Sequence, residues 1–186
     1  MEEATPFRAE LLVAGLGGQG ILTIGKLLAE AALLKYKNAV WVPSYSSKVR
    51  GGPSECMVIF SDDDIDSPVL LKANAVIIVE GTLLNAFEGR AKPGGIVVFQ
   101  GIGNEDKMTR EDVSYVSVPA FQMAVEMGNT RAANLILLGA YITATKVIAP
   151  ELVEKVLDIK YGKKEKALSM NKQSFMQGLK AGKVIS

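Results

Sequence analysis

The sequence predicts an α/β domain, an open and mostly parallel sheet with helices on both faces and a helical final third. Three observations predict it. The run Leu11-Leu12-Val13-Ala14-Gly15-Leu16-Gly17-Gly18-Gln19-Gly20-Ile21 reads as a buried strand that stops at a glycine-rich turn and restarts as a helix. Apolar, β-branched runs then alternate with helical stretches, the pattern of strands buried between layers of helix. The 186 residues, 48% of them apolar, suit one domain spanning 1–186 with a sizeable core. Residues 1–8, acidic and polar at their start, are expected to form a flexible N-terminus.

The elements follow in order. Strands are predicted near 10–15, 39–43, 55–61, 75–80, 95–100 and 115–118. Ala75-Val76-Ile77-Ile78-Val79-Glu80 and Gly95-Ile96-Val97-Val98-Phe99-Gln100 are both β-branched and apolar, and Lys92-Pro93-Gly94-Gly95 is a turn signal. A first helix is expected from Gln19 to Tyr36. A short one capped by Thr82 runs to Arg90. In the final third, helices are expected over 131–148, 151–160 and 164–181, with Gly139 and Ala140 permitting close packing on the first of these. Tyr161-Gly162-Lys163-Lys164 separates the last two.

Gly15, Gly17 and Gly20 fit G-x-G-x-x-G, with Gly18 as a fourth glycine, in strand–turn–helix context. This is the dinucleotide-binding fingerprint by spacing, and it makes the fold Rossmann-like. Free N–H groups at the start of the helix suit an anion. The next strand argues against NAD. That cofactor wants an acidic residue about 20 positions on to hold the ribose, and no Asp or Glu lies between Ala31 and Gly52. The loop therefore serves close backbone packing or an anion better than it serves NAD.

Two scarcities narrow the chemistry. The chain has no histidine, which removes the commonest general base and metal ligand. Its single cysteine, Cys56, cannot form an intrachain disulfide, and an iron–sulfur cluster needs about four such ligands. Within the apolar run 55–60, Cys56 reads as a buried, inert thiol. Asp62-Asp63-Asp64-Ile65-Asp66 lacks the glycine and distant glutamate of a calcium loop and reads as a solvated turn. No metal site is expected. The net charge of +1 gives no reason to expect nucleic acid or an anionic membrane as partner. No run reads as a signal peptide or membrane span, so a cytoplasmic location is expected.

A second polar cluster follows the second strand: Ser44-Tyr45-Ser46-Ser47-Lys48-Val49-Arg50-Gly51-Gly52-Pro53-Ser54. Loops at strand ends of an open α/β sheet line the ligand crevice. Arg50 beside Gly51-Gly52 could reach a phosphate or carboxylate, or could be an unpaired surface arginine.

Taken in order, the Gly-Leu-Gly-Gly-Gln-Gly run at 15–20, Arg50-Gly51-Gly52 before Ser54, Ile65-Asp66-Ser67-Pro68, and Gly128-Asn129-Thr130-Arg131 with Asn134 and Leu138-Gly139-Ala140 resemble the gamma subunit of 2-oxoacid:ferredoxin oxidoreductases. The resemblance spans roughly 10–182. It implies a subunit that is inactive alone, in a complex that oxidatively decarboxylates a 2-oxoacid to acyl-coenzyme A and passes electrons to ferredoxin. The 2-oxoacids of the family include pyruvate, ketoisovalerate and 2-oxoglutarate. Thiamine diphosphate and iron–sulfur clusters would lie in partner subunits of alpha, beta and delta type. This chain would supply assembly and coenzyme A positioning, with no catalytic residue of its own. Gly15, Gly17, Gly18, Gln19, Gly20, Arg50, Gly51 and Gly52 would face coenzyme A or a partner. Ser44, Asn129, Arg131 and Asn134 would be structural or interface residues, with Asn129 capping the long helix. Ser46 and Ser47 stand where the 2-oxoglutarate members carry Gly and Pro. A chain stripped of its partners would expose an apolar face and could homodimerise through it. Two other readings stay open: a stand-alone nucleotide-binding or sensing module, and a scaffold whose glycines all serve packing.

Overall fold

The computed structural model describes residues 7–44 and 52–183. Its elements are β1 (Arg8–Leu16), α1 (Ile21–Ala32), β2 (Asn38–Ser44), β3 (Pro53–Ser61), β4 (Ala73–Ile78) and α2 (Leu84–Phe87), the last flanked by single 3₁₀ turns. They continue as β5 (Ala91–Gln100), β6 (Ser114–Val118), α3 (Ala120–Glu126), α4 (Ala133–Thr145), α5 (Pro150–Tyr161) and α6 (Glu165–Ala181). Each expected strand is present. The first helix and the long one are shorter than expected, and α3 carries no signal strong enough to have been anticipated.

The six strands lie in the order β2-β3-β1-β4-β5-β6. β1, β4, β5 and β6 are parallel to one another. β3 runs antiparallel to both β1 and β2. Connection length explains the exception. Residues 45–52 are too few for the crossover that a parallel neighbour needs, about a dozen residues or more.

Side-chain alternation along each strand divides the core between two faces. Leu11 and Val13 of β1, Val58 and Phe60 of β3, and Ile77 of β4 face α1, α4 and α5. Leu12, Ala14, Ile59, Val76 and Ile78 face the other way. Among the described residues, that second face is covered by α2 and the irregular segments around Leu70 and Met108. Its far edge is closed by buried Glu88, whose carboxylate accepts hydrogen bonds from Tyr115 and the Thr109 hydroxyl.

The first face is thicker. Every residue of α4 from Asn134 to Ile142 is buried. A helix apolar all round belongs inside a protein, and α4 is wedged between the sheet and α6. Two glycines permit this. A Cβ at Gly139 would strike the Phe175 carbonyl, and one at Gly178 would strike the Ile136 carbonyl. The two helices are in backbone contact. Gly139 was legible as a packing residue, whereas its partner Gly178 was not.

Candidate functional site

The carboxyl ends of β1, β4, β5 and β6 open into a cleft of about 880 Å³. Its walls come from α1, the turn before α4, α5 and α6. Ligands of open α/β sheets bind outside these strand ends.

The glycine loop forms one end. Gly18 and Gly20 adopt φ of +96° and +75°, a backbone region that glycine enters without steric cost. Gly20 precedes α1 as its N-cap, with no side-chain cap. The Gln19 side chain staples the loop together. Its Oε1 accepts from the Leu16 N–H at 2.8 Å, and its Nε2 donates to the Glu80 carboxylate at 2.9 Å. Glu80 also accepts from the Thr82 hydroxyl at 3.0 Å and caps the 3₁₀ turn at 81–83. The cap of this short helical segment is therefore Glu80 and not Thr82. Its longer carboxylate reaches forward over two residues to the Thr82 N–H.

The other expected residues divide into two groups. Gly18, Gln19, Gly20, Asn129, Arg131 and Asn134 are brought together on the cleft lining. Gly15 lies beneath, where a Cβ would come within 2.8 Å of Gln19 Oε1 and 3.2 Å of Val79 Cβ. Gly17 donates its N–H to the Gly52 carbonyl at 3.2 Å. That bond joins the two glycine motifs, which are 35 positions apart in sequence. Ser44 is exposed at the end of β2, paired in register with Glu55 and away from the cleft. Arg50, Gly51 and the Tyr45–Val49 loop fall outside the described residues.

Asn129 is not the side-chain cap of α4. That helix has Ala132 as N-cap with no side-chain bond, and Asn129 contributes its backbone carbonyl to the Ala132 N–H at 2.9 Å. Asn134 ties two elements together. Its Nδ2 donates to the Gly20 carbonyl at 3.2 Å while its Oδ1 accepts from the Leu135 N–H. The first turn of α4 is thereby held against the glycine loop.

Sequence reading passed over Glu80, Gln100, Tyr161 and Asn171, all on the lining. Glu80 and Gln100 had a usable signal, since each ends a predicted strand at the edge where ligands bind. Tyr161 and Asn171 had none, because α5 and α6 reach the cleft only by tertiary packing. Glu80 is the one carboxylate and Arg131 the one guanidinium among the described lining residues.

Cys56 takes no part. It is fully buried under α1, and burial pushes its thiol up to about 12. A thiol so placed is not a nucleophile at neutral pH.

Together, fold and lining define an α/β module with a cleft at the carboxyl ends of its parallel strands. Residues 10–181 match the family described as pyruvate ferredoxin/flavodoxin oxidoreductase. The chain is 34% identical over 166 residues to the 2-oxoglutarate synthase subunit KorC of Methanocaldococcus jannaschii, covering 87% of this chain and 89% of the other. A keto/oxoacid ferredoxin oxidoreductase gamma subunit from Geobacter sulfurreducens superimposes with a TM-score of 0.82 at 26% identity, over 95% of this chain and 97% of that one. A 2-oxoglutarate:ferredoxin oxidoreductase from Magnetococcus marinus, solved with 2-oxoglutarate, coenzyme A and succinyl-CoA bound, gives 0.85 at 25% identity, over 94% of this chain and 31% of that one. Some relatives are much longer: the chain spans only 26% of the ketoisovalerate oxidoreductase subunit VorA of Methanothermobacter marburgensis. The chain belongs to the pyruvate ferredoxin/flavodoxin oxidoreductase family, and within it to the gamma subunits of 2-oxoacid:ferredoxin oxidoreductases. No helix among the described residues is long and apolar enough to cross a membrane.

Proposed function

We propose that this chain positions coenzyme A in a cytoplasmic 2-oxoacid:ferredoxin oxidoreductase whose reaction centre lies in partner subunits of alpha, beta and delta type. Those subunits supply thiamine diphosphate and the iron–sulfur clusters, which suits a chain with one cysteine and no histidine. The 2-oxoacid is decarboxylated there, its acyl group is captured by coenzyme A, and the electrons leave to ferredoxin. Similarity to KorC favours 2-oxoglutarate as the 2-oxoacid.

The observation that carries this reading is the convergence of two loops on one cleft. The glycine loop and the Asn129–Asn134 turn share its lining, and Gly17 of that loop donates its N–H to the Gly52 carbonyl. The relative solved with coenzyme A bound supports the choice of ligand. Gly18, Gln19 and Gly20 offer backbone and amide donors, and Arg131 offers a cation that forms no ion pair among the described residues.

The test is steady-state kinetics of the assembled complex. Arg131→Ala, and separately Arg50→Ala, are expected to raise KM for coenzyme A about fivefold to tenfold with kcat retained, the loss of one charge-assisted contact. An unchanged KM in both variants, with assembly intact, would sink the reading. Tight binding of NADH to the chain on its own would instead support the stand-alone nucleotide module.

A further inference from the structure

The Ile65-Asp66-Ser67-Pro68 turn takes no part in the cleft. It leads into the irregular segment that joins β3 to β4 across the second face of the sheet. Leu70 is buried in that face, and its N–H donates to Met57 Sδ at 3.2 Å. Its two neighbours turn the other way. Val69 is 62% exposed, and Leu71, at 86%, is the most exposed large apolar side chain among the described residues.

Single exposed apolar residues are ordinary. This pair is held in place. The Arg90 guanidinium donates to the Leu71 carbonyl at 2.6 Å, to the Leu70 carbonyl at 2.9 Å and to Glu55 Oε2 at 3.1 Å. One side chain thus pins the segment to β3 by charge-assisted bonds. Val69 and Leu71 are presented with little backbone freedom left to lose, the condition under which an apolar anchor contributes most to binding. Beside them stands a run of acids. Asp62, Asp63, Asp64 and Asp66 form no ion pair with a described residue. Lys72 is the one base in the stretch 62–72.

Charge selects the occupant. Two copies of this face related by a twofold axis would set the acidic runs near each other, like charge against like. A partner with basic residues around an apolar recess matches instead. The longer relatives point the same way. The chain spans 26% of the Methanothermobacter marburgensis VorA subunit and 31% of the Magnetococcus marinus chain, so in both the module is covalently continuous with a much longer, non-identical remainder.

We infer that residues 62–71, pinned by Arg90, are the anchor by which this chain docks on a non-identical partner subunit of its oxidoreductase complex. Val69 and Leu71 sit in an apolar recess of that subunit, and the aspartates face lysines or arginines on its rim. The anchor shares no residue with the cleft lining, so it stands independently of the coenzyme A reading.

The experiment compares complexes assembled with the wild-type chain and with a chain carrying Val69→Ser and Leu71→Ser. Both side chains are exposed, so the thermal midpoint of the isolated variant is expected to match wild type and serves as the folding control. On dilution followed by sedimentation, the variant complex is expected to come apart at a concentration about tenfold higher or more. Asp63→Lys, Asp64→Lys and Asp66→Lys together are expected to slow association and flatten its dependence on salt. In the wild type, hydrogen exchange at the amides of 69–72 is expected to be slower in the complex than in the isolated chain, a measurement that needs no variant. Unchanged dissociation of a folded Ser variant, or equal exchange in complex and isolated chain, would overturn the anchor. Self-association of the isolated chain that the Ser variant abolishes, with the complex unaffected, would overturn it in favour of a second copy.

Discussion

Two sets of glycines do opposite jobs in this molecule. Gly18 has positive φ and nothing within 4 Å of where a Cβ would stand. Gly139 and Gly178 have ordinary helical backbones and no room at all, because α4 and α6 touch carbonyl to glycine. The first kind is required by conformation, the second by distance. Gly20 belongs to both, with φ of +75° and the Asn134 amide directly above it. The comparison shows how the same residue builds a rigid core contact in one place and a cleft-lining turn in another. Composition alone does not separate them.

The contrast can be broken most forcefully at the helix contact. Gly178→Val is expected to cost about 3 kcal/mol or more, since a branched side chain must force α6 off the Ile136 carbonyl. Urea unfolding of the chain measures it, and a loss below 1 kcal/mol would mean that the helices can separate cheaply. Kinetic constants of any complex that still assembles should be unaffected by this change.

The glycine of mixed type gives the next effect. Gly20→Ala is expected to cost about 2 kcal/mol, combining the left-handed backbone penalty with the collision against Asn134. Asn134→Ala alone should cost about 1 kcal/mol through loss of its bond to the Gly20 carbonyl. The double variant should then be more stable than the sum predicts, because the collision is gone. Strict additivity would show that the two residues do not touch in solution.

Gly18→Ala is the mildest. It faces open space and pays only for φ, about 1 kcal/mol. Gly18→Asn should recover part of that, since asparagine tolerates the left-handed region. In the complex, either change is expected to affect KM for coenzyme A more than stability, because Gly18 lines the cleft. Equal KM values for wild type and both variants would remove Gly18 from the ligand surface.

Much of this was legible before any coordinates. Apolar, β-branched runs mark the strands to within a few residues, because a run of that kind covered on both faces suits a buried strand. The glycine spacing marked the turn before α1. Less visible were features that depend on elements distant in sequence. The antiparallel course of β3 could have been read from the short connection 45–52, which cannot make a crossover. The unequal cover of the two faces could not, since the segments around Leu70 and Met108 have no periodic pattern. In the site, Asn129 was expected as a cap and serves through its backbone instead. Asn134 reaches across 114 positions to the Gly20 carbonyl. Sequence spacing has no means of expressing such a contact.

The sequence by itself determined the class of fold, the strand order along the chain, and the exclusion of cluster and histidine chemistry. These are local or compositional properties, set by residue type, apolar periodicity and the count of ligating side chains. Tertiary structure alone decided that Glu80 occupies the position beside the glycine loop, that Gly17 meets Gly52, and that α5 and α6 bring Tyr161 and Asn171 to the same cleft. The last of these arises because α4, buried on all sides, holds α6 against itself through Gly139 and Gly178. The packing of one apolar helix thus places polar residues that are remote in sequence around a common space.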